Sequence, residues 1–355
     1  MMELIEKIAF SEPVKAEINR RLSTLDNYKV KWNSAYKNID KKPMLQLRHM
    51  ATVESVGSST RIEGSTLTDA EVNTLLKDLH IQHLESRDEQ EAAGYYEVLE
   101  MIETSYADIS LSENIILQLH TLLLRHSSKD QRHKGAYKYL SNKVVANYPD
   151  GAQRVIFRTT EPHLTTHEMY DLISWTNIQL KNKELHPVLV VAVFVFEFLS
   201  IHPFQDGNGR LSRLLTTLLL LQAGYQFIEY ISFENHIESH KDSYYNALMN
   251  GQKNRNTPHE RIDEWLLFFT ESLVILTEKL NVKLAALKPN GTYITERQKR
   301  IIAVMQKQGM SKMVDIATAM KKVHIASLKK DMAYLVKHGK VLKYGELKAS
   351  VYKVA

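Results

Sequence analysis

Two apolar runs, 187–201 and 211–221, constrain this chain more than any other feature. Each is too apolar to lie on a surface, so each is expected as a buried helix. Both fall short of the roughly 18–20 apolar residues that a membrane span needs, and Glu197 interrupts the longer one, so no membrane crossing is expected. Between and into them runs His-Pro-Phe-Gln-Asp-Gly-Asn-Gly-Arg-Leu-Ser-Arg, from His202 to Arg213, and the local layout is helix, loop, helix.

That loop has the makings of a polyphosphate site. Gly207 and Gly209 reach backbone angles that other residues resist, so the N–H groups around Asn208 can converge on one concavity at the start of the second helix. Helix N-termini of this kind bind anions. Arg210 and Arg213, three apart, share a helix face, and as cations near an N-terminus they oppose the dipole by about 0.3–1 kcal/mol each. An anionic ligand removes that penalty. Asp206 is an oxygen ligand of the type that Mg²⁺ uses alongside substrate phosphates, and His202 takes up a proton near neutral pH. Base, metal ligand and phosphate cradle together point to phosphoryl or nucleotidyl transfer.

The motif His-x-Phe-x-Asp-Gly-Asn-Gly-Arg-x-x-Arg resembles the full signature of the Fic family, enzymes that mostly transfer AMP from ATP to protein hydroxyl groups. The resemblance implies a mainly α-helical Fic-fold core with a short β-hairpin flap. It makes His202 the general base, Phe204 the anchor of the loop, and Asp206 the holder of Mg²⁺. Gly207, Asn208 and Gly209 would cradle phosphate oxygens, Arg210 the β-phosphate and Arg213 the γ-phosphate of ATP, with pyrophosphate leaving. Tyr244 and Tyr245 resemble elements near the adenine, where they would supply stacking faces; core positions are the alternative.

Further upstream, Ser59-Thr-Arg-Ile-Glu63-Gly64 resembles the inhibitory-helix pattern of the same family. Gly64 is a natural stop and Thr68-Asp-Ala-Glu71 reads as a capping box opening a new helix, so a one-turn helix at about 58–64 is expected. The resemblance implies that Glu63 pairs with Arg213 and keeps the enzyme off. The same glutamate would position a water for the reverse reaction, AMP removal, and the sequence does not separate the two directions. Gly135-Ala-Tyr-Lys, then Val155, Ile156, Phe157 and Arg158, follow the order of the target-docking flap, with a hairpin expected between 150–151 and Pro162. Glu197 and Arg158 depart from the residues frequent there, which puts target choice in doubt.

Composition frames the rest. At 355 residues, 44% hydrophobic and 25% charged, the chain has room for two or three domains of an ordinary soluble protein. It has no cysteine, which excludes disulfides and thiol chemistry, and 1–7 lacks a signal-peptide pattern, so a cytoplasmic setting is expected. His236 and His240 have the i, i+4 spacing of a metal pair, but no third ligand is evident. The basic charge is confined to the end: 290–355 carries 14 Lys and Arg against 4 Asp and Glu, in a chain of net charge +5. Three helices, 295–308, 314–320 and 326–338, followed by two strands within 341–354, resemble a winged helix-turn-helix. Such a module implies DNA contact through Lys321, Lys322, Lys329 and Lys330, although protein interaction is the alternative.

The expected organisation is thus a helical region over 1–110, a catalytic core over 111–287 and a winged helix over 290–355. The expected function is an autoinhibited protein adenylyltransferase using ATP and Mg²⁺ on a Tyr, Ser or Thr hydroxyl of a target protein or of itself. A DNA-binding regulator that uses the core as a nucleotide sensor is the reading from another class. The resemblance also suggests a homodimer.

Overall fold

The computed structural model describes residues 10–36, 41–79, 84–147, 153–287, 294–320, 323–345 and 350–354. The chain divides into two compact units, Met1–Leu280 and Asn281–Ala355.

The first unit is helical apart from one hairpin. Its opening helices are α1 (Glu12–Lys31), α2 (Lys41–Ile62), α3 (Asp69–Asp78), α4 (Arg87–Ser105) and α5 (Glu113–Leu123). The hairpin strands β1 (Lys143–Asn147) and β2 (Gln153–Arg158) follow, then α6 (Pro162–Asn182), α7 (Pro187–Ile201) and α8 (Asn208–Gln222). A 3₁₀ turn at Gln226–Tyr230 leads to α9 (Phe233–Ser239), α10 (Lys241–Gln252) and α11 (Asp263–Leu287). Local chemistry sets many of these starts. Thr68 and Ser86 open α3 and α4 with full capping boxes to Glu71 and Glu89, and Ser112 caps α5.

The two apolar runs are α7 and the body of α8, packed on each other. From Val188 to Ile201 every residue of α7 is buried, which removes enough apolar surface from water to make this pair the centre of the unit. α6 covers one side of α7, while α4 and α5 pack against α8. Glu197, the charge inside the run, is paired with Arg255 at 2.8 Å. Among the described residues no helix is long and apolar enough to cross a membrane.

Gly94 shows how tight this packing is. Glycine inside a helix costs about 1 kcal/mol relative to alanine, yet a Cβ at Gly94 of α4 would lie 2.1 Å from the carbonyl oxygen of Leu123 at the end of α5. Backbone cannot yield as a flexible side chain does. Gly94→Ala is expected to destabilise by about 2–3 kcal/mol and to lower the thermal midpoint by several degrees; an unchanged midpoint in a thermal melt would show that α4 and α5 do not approach so closely.

Two expectations need correction. The segment ending at Glu63 is no isolated turn: it is the C-terminal end of the 22-residue α2, most of whose residues from Ala51 onward are buried. Small residues, Gly57-Ser-Ser-Thr, hid that helix from pattern reading because they carry almost no amphipathic signal. The hairpin is also larger than expected. β2 pairs back onto 143–147, with an irregularity between Val144 and Val145, and the connecting residues 148–152 lie outside the described residues.

The second unit contains α12 (Glu296–Gln308), β3 (Ser311–Lys312), α13 (Met313–Ala319), α14 (Ile325–Lys337), β4 (Val341–Tyr344) and β5 (Val351–Val354). The sheet order is β3-β5-β4, all antiparallel. Ile301, Met305, Ile316, Leu328, Met332, Leu335 and Val341 form its core. β3 escapes sequence reading because two residues are too short to show alternation. Lys321 and Lys322 lie outside the described residues, whereas Lys329 and Lys330 are exposed on α14.

Candidate active site

The turn between α7 and α8 is built around a histidine in an unusual conformation. His202 ends α7 with φ 52° and ψ 62°, the left-handed region, and its amide donates to the Phe198 carbonyl at 2.9 Å. Its Nδ1 lies 3.3 Å from the Leu199 carbonyl oxygen. A carbonyl only accepts, so Nδ1 carries the proton and Nε2 presents a lone pair. Burial, reinforced by the charge of Lys138, pulls His202 down to about 4, so the ring is neutral at pH 7.

Phe204 anchors the loop. It is fully buried, and its ring stacks on His120 with centroids 3.7 Å apart and planes 14° from parallel. Asn208 closes the turn: Phe204 N–H donates to Asn208 Oδ1 at 2.8 Å, and Asn208 Nδ2 donates to the Phe204 carbonyl at 2.7 Å. Its side chain is therefore spent on the loop, leaving only its backbone for a ligand.

His120, on α5, is the residue that pattern reading misses. Gly135 N–H donates to its Nδ1 at 2.9 Å, which obliges Nε2 to carry the proton and donate to the Asp206 carbonyl at 2.9 Å. Burial holds His120 down to about 4, so this neutral tautomer persists. A lone histidine in an otherwise apolar helix gives no sequence signal, and only the fold brings it to the loop.

Asp206 is the carboxylate of the site. Its Oδ1 accepts from Gly207 N–H at 2.6 Å and from Arg210 Nη2 at 3.2 Å, and its Oδ2 is 3.4 Å from Lys129 Nζ. Burial opposes the charge, yet Arg210 and Lys129 hold the carboxyl down to about 2. An ionised carboxylate with a third of its side chain exposed is an oxygen ligand of the type Mg²⁺ takes, since that ion keeps several waters and few protein ligands. Gly207, with φ 83°, then opens α8.

Arg210 and Arg213 differ in how fully they are satisfied. Arg210 is 1% exposed, and its Nη1 faces Glu91 Oε2 at 3.3 Å. Even so, neither its Nε nor its Nη1 has a hydrogen-bond partner among the described residues. Buried donors without acceptors are costly, and the nearby Glu91 carboxylate compensates the charge of Arg210. Arg213 is engaged through its Nε and Nη2. Its Nε donates to Ser59 Oγ at 2.8 Å, and its Nη2 donates to the Ser59 carbonyl at 3.0 Å and to Glu63 Oε1 at 2.8 Å. Burial works against this charge, but Glu63 raises its pKa above the ordinary arginine value.

Glu63 also reaches the glycine cradle. A Cβ at Gly209 would lie 2.2 Å from Glu63 Oε1, so only glycine lets the carboxylate rest there. The end of α2 is held in place by Arg61, whose Nε and Nη2 grip both oxygens of Glu238 on α9 at 2.7 and 2.9 Å. Lys241 Nζ donates to the Ile62 carbonyl at 3.0 Å.

The tyrosine pair divides. Tyr244 is 4% exposed and lies edge-on to Trp265 and Phe268, so it is a core residue rather than an open stacking face. Tyr245 beside it is half-buried. Val155, Ile156, Phe157 and Arg158 form the end of β2, which runs alongside α10. The rings of His236 and His240 stack 4.2 Å apart, with His236 Nε2 at 3.1 Å from Ser272 Oγ.

A neutral histidine at this pH accepts a proton only while its ring is uncharged. With His202 near 4, any reaction in which it is the base should keep its rate down to about pH 5 and lose it through pH 4, well below the usual imidazole range. An acid limb near 6.5 in the rate profile would contradict this placement.

Comparison with known proteins agrees with the geometry. Residues 110–220 match the Fic/DOC family model. The protein adenylyltransferase Fic of Drosophila mojavensis is 30% identical over 213 residues, which are 58% of this chain and 38% of that protein. Its Drosophila melanogaster counterpart is 28% identical over 222 residues, 61% and 41% respectively. The chain thus spans about two fifths of the length of these relatives. Among solved structures, a Fic family protein from Desulfovibrio desulfuricans G20 superposes with a TM-score of 0.65 at 20% identity, covering 98% of this chain and 97% of that one. The fold is therefore that of Fic structures, and the residues from 110 to 220, which hold His120 and the whole His202 to Arg213 motif, are similar to the Fic/DOC family.

Proposed function

We propose that this protein transfers AMP from ATP to a hydroxyl group of a protein substrate, releasing pyrophosphate. The observation that carries the reading is the pairing of a neutral His202, whose Nδ1 rather than Nε2 faces the Leu199 carbonyl, with the buried Arg210, two of whose donors have no hydrogen-bond partner among the described residues, beside a helix N-terminus that no side chain caps. His202 takes the proton of a Tyr, Ser or Thr hydroxyl. The freed oxygen attacks the α-phosphorus, the bond to the bridging oxygen breaks, and the negative charge leaves on pyrophosphate. Gly207 and Gly209 let the start of α8 approach phosphate oxygens, Arg210 holds the β-phosphate and Arg213 the γ-phosphate. Asp206 would hold Mg²⁺, which neutralises phosphate charge. Most of the work is positioning and charge neutralisation. The names of the Drosophila relatives support the same reaction.

In this reading Glu63 is an inhibitor within the chain. Its carboxylate holds the Nη2 of Arg213 that a γ-phosphate needs, and it occupies the space above Gly209. Ser59 completes the socket. The hairpin strand 155–158 presents an edge on which a target segment would add by main-chain pairing. Tyr245 is the aromatic residue of its pair with surface left for the adenine.

The test is transfer of α-labelled ATP to protein with Mg²⁺ by the wild type, Glu63→Gly and His202→Ala. Label that rises in the first variant and vanishes in the second supports the proposal. A folded, ATP-binding chain that labels nothing in any form overturns it. The exposed Lys329 and Lys330 on α14 favour a second reading for the C-terminal unit, a winged helix on DNA. Salt-sensitive DNA binding that responds to ATP, without AMP transfer, would put that reading first.

A further inference from the structure

We propose that Lys138 is the positioning residue for His202, fixing the backbone on both sides of the histidine. This rests on the reading of His202 as the base.

His202 adopts a left-handed conformation that residues with a side chain keep only when their surroundings enforce it. Pro203 follows and has no amide to offer, and the last carbonyls of α7 lack intrahelical partners. One short segment supplies what is missing. Lys138 N–H donates to the Pro203 carbonyl at 2.8 Å, and Lys138 Nζ donates to the Ile201 carbonyl at 2.8 Å. The two other ammonium donors go to Thr159 Oγ1 and Asn142 Oδ1, each at 3.0 Å. Asn142 Nδ2 then donates to the Phe204 carbonyl at 2.8 Å. The carbonyls of 201, 203 and 204 are thus all held from one side, and His202 is the residue suspended between them.

The choice of lysine is itself informative. Lys138 is 4% exposed, its three acceptors are neutral oxygens, and among the described residues no carboxylate pairs with it. A buried ammonium is expensive, and an apolar residue would fill the space without that cost but leave the carbonyls unheld. The charge acts on the base as well. The groups facing His202 are Lys138, which with burial lowers its pKa, and Glu63 and Asp206, which raise it. Burial lowers Lys138 itself to about 8 against Glu161 and Glu168, so at pH 7 it is the ammonium, with all three donors, that meets the loop.

Lys138→Met in the Glu63→Gly background is expected to lower kcat at least tenfold with little change in KM for ATP. The acid limb of kcat, and the NMR titration of His202, should both move up by about one pH unit. Thr159→Val, which removes one acceptor but leaves the charge, should lower kcat a few-fold without moving the titration. A purely structural lysine would reduce the folded fraction and leave the titration where it was. Unchanged kcat and titration in folded Lys138→Met overturn the assignment, as does unchanged kcat in Thr159→Val should the first variant not fold. Failure of the Glu63→Gly parent to transfer AMP would instead sink the catalytic reading, and the NMR titration would still report whether Lys138 governs His202.

Discussion

Glu63→Gly is expected to raise AMP transfer by between about tenfold and a hundredfold. The reason lies in one contact: Glu63 Oε1 takes the Arg213 donor at 2.8 Å, and the guanidinium behind it is 3% exposed. Hydrogen bonds to charged groups contribute about 1.5–3 kcal/mol, and each 1.4 kcal/mol is a factor of about ten. A γ-phosphate that no longer has to displace the carboxylate gains that factor. The substitution should leave the arginine ordered, because Ser59 Oγ and the Ser59 carbonyl still hold it. Initial rates with labelled ATP at fixed Mg²⁺ measure the effect. A rate equal to wild type would show that the pair is structural and that the chain is not self-inhibited.

His202→Ala is expected to reduce transfer by about 10²–10⁴-fold, the range for a lost general base. Nucleotide binding should persist. Asp206, Arg210 and the start of α8 are held by Asn208, Gly207 and His120, none of which depends on the imidazole of His202. Calorimetric titration with ATP in the Glu63→Gly background separates the two effects. A residual rate within tenfold of the parent would assign the base elsewhere.

Much of the site was legible because its residues are close in sequence. From His202 to Arg213 every candidate position lies on one turn and the helix that follows it, and two glycines among charges mark the turn as a place where backbone can come close to an anion. Glu63 was legible from its motif alone, although the helix that carries it was misjudged as one turn. Positions contributed singly by distant elements were not legible. His120 from α5, Glu91 from α4 and Asn142 from before the hairpin have no neighbours that share their task, so nothing in the local pattern sets them apart from ordinary polar residues. The Ser59 carbonyl on Arg213 could not be foreseen from a side-chain pattern, since every residue has a carbonyl. The sequence leaves Tyr244 open for the opposite reason: an aromatic pair fits a stacking face and a core equally well, and only burial separates them.

If Glu63 inhibits as proposed, the double grip of Ser59 on Arg213 bears on how little is needed to release it. Were the arginine held by Glu63 alone, release would leave it wandering, and the whole end of α2 would have to be expelled and replaced. Here Ser59 holds the arginine by two hydrogen bonds of its own, and Glu63, one third exposed, is the less enclosed partner. On the proposed reading, a change of the Glu63 side-chain rotamer, an event of picoseconds to nanoseconds at exposed positions, is enough to release the Arg213 Nη2 for a γ-phosphate. On the proposed reading, a regulator of this chain needs access only to a single carboxylate at the rim.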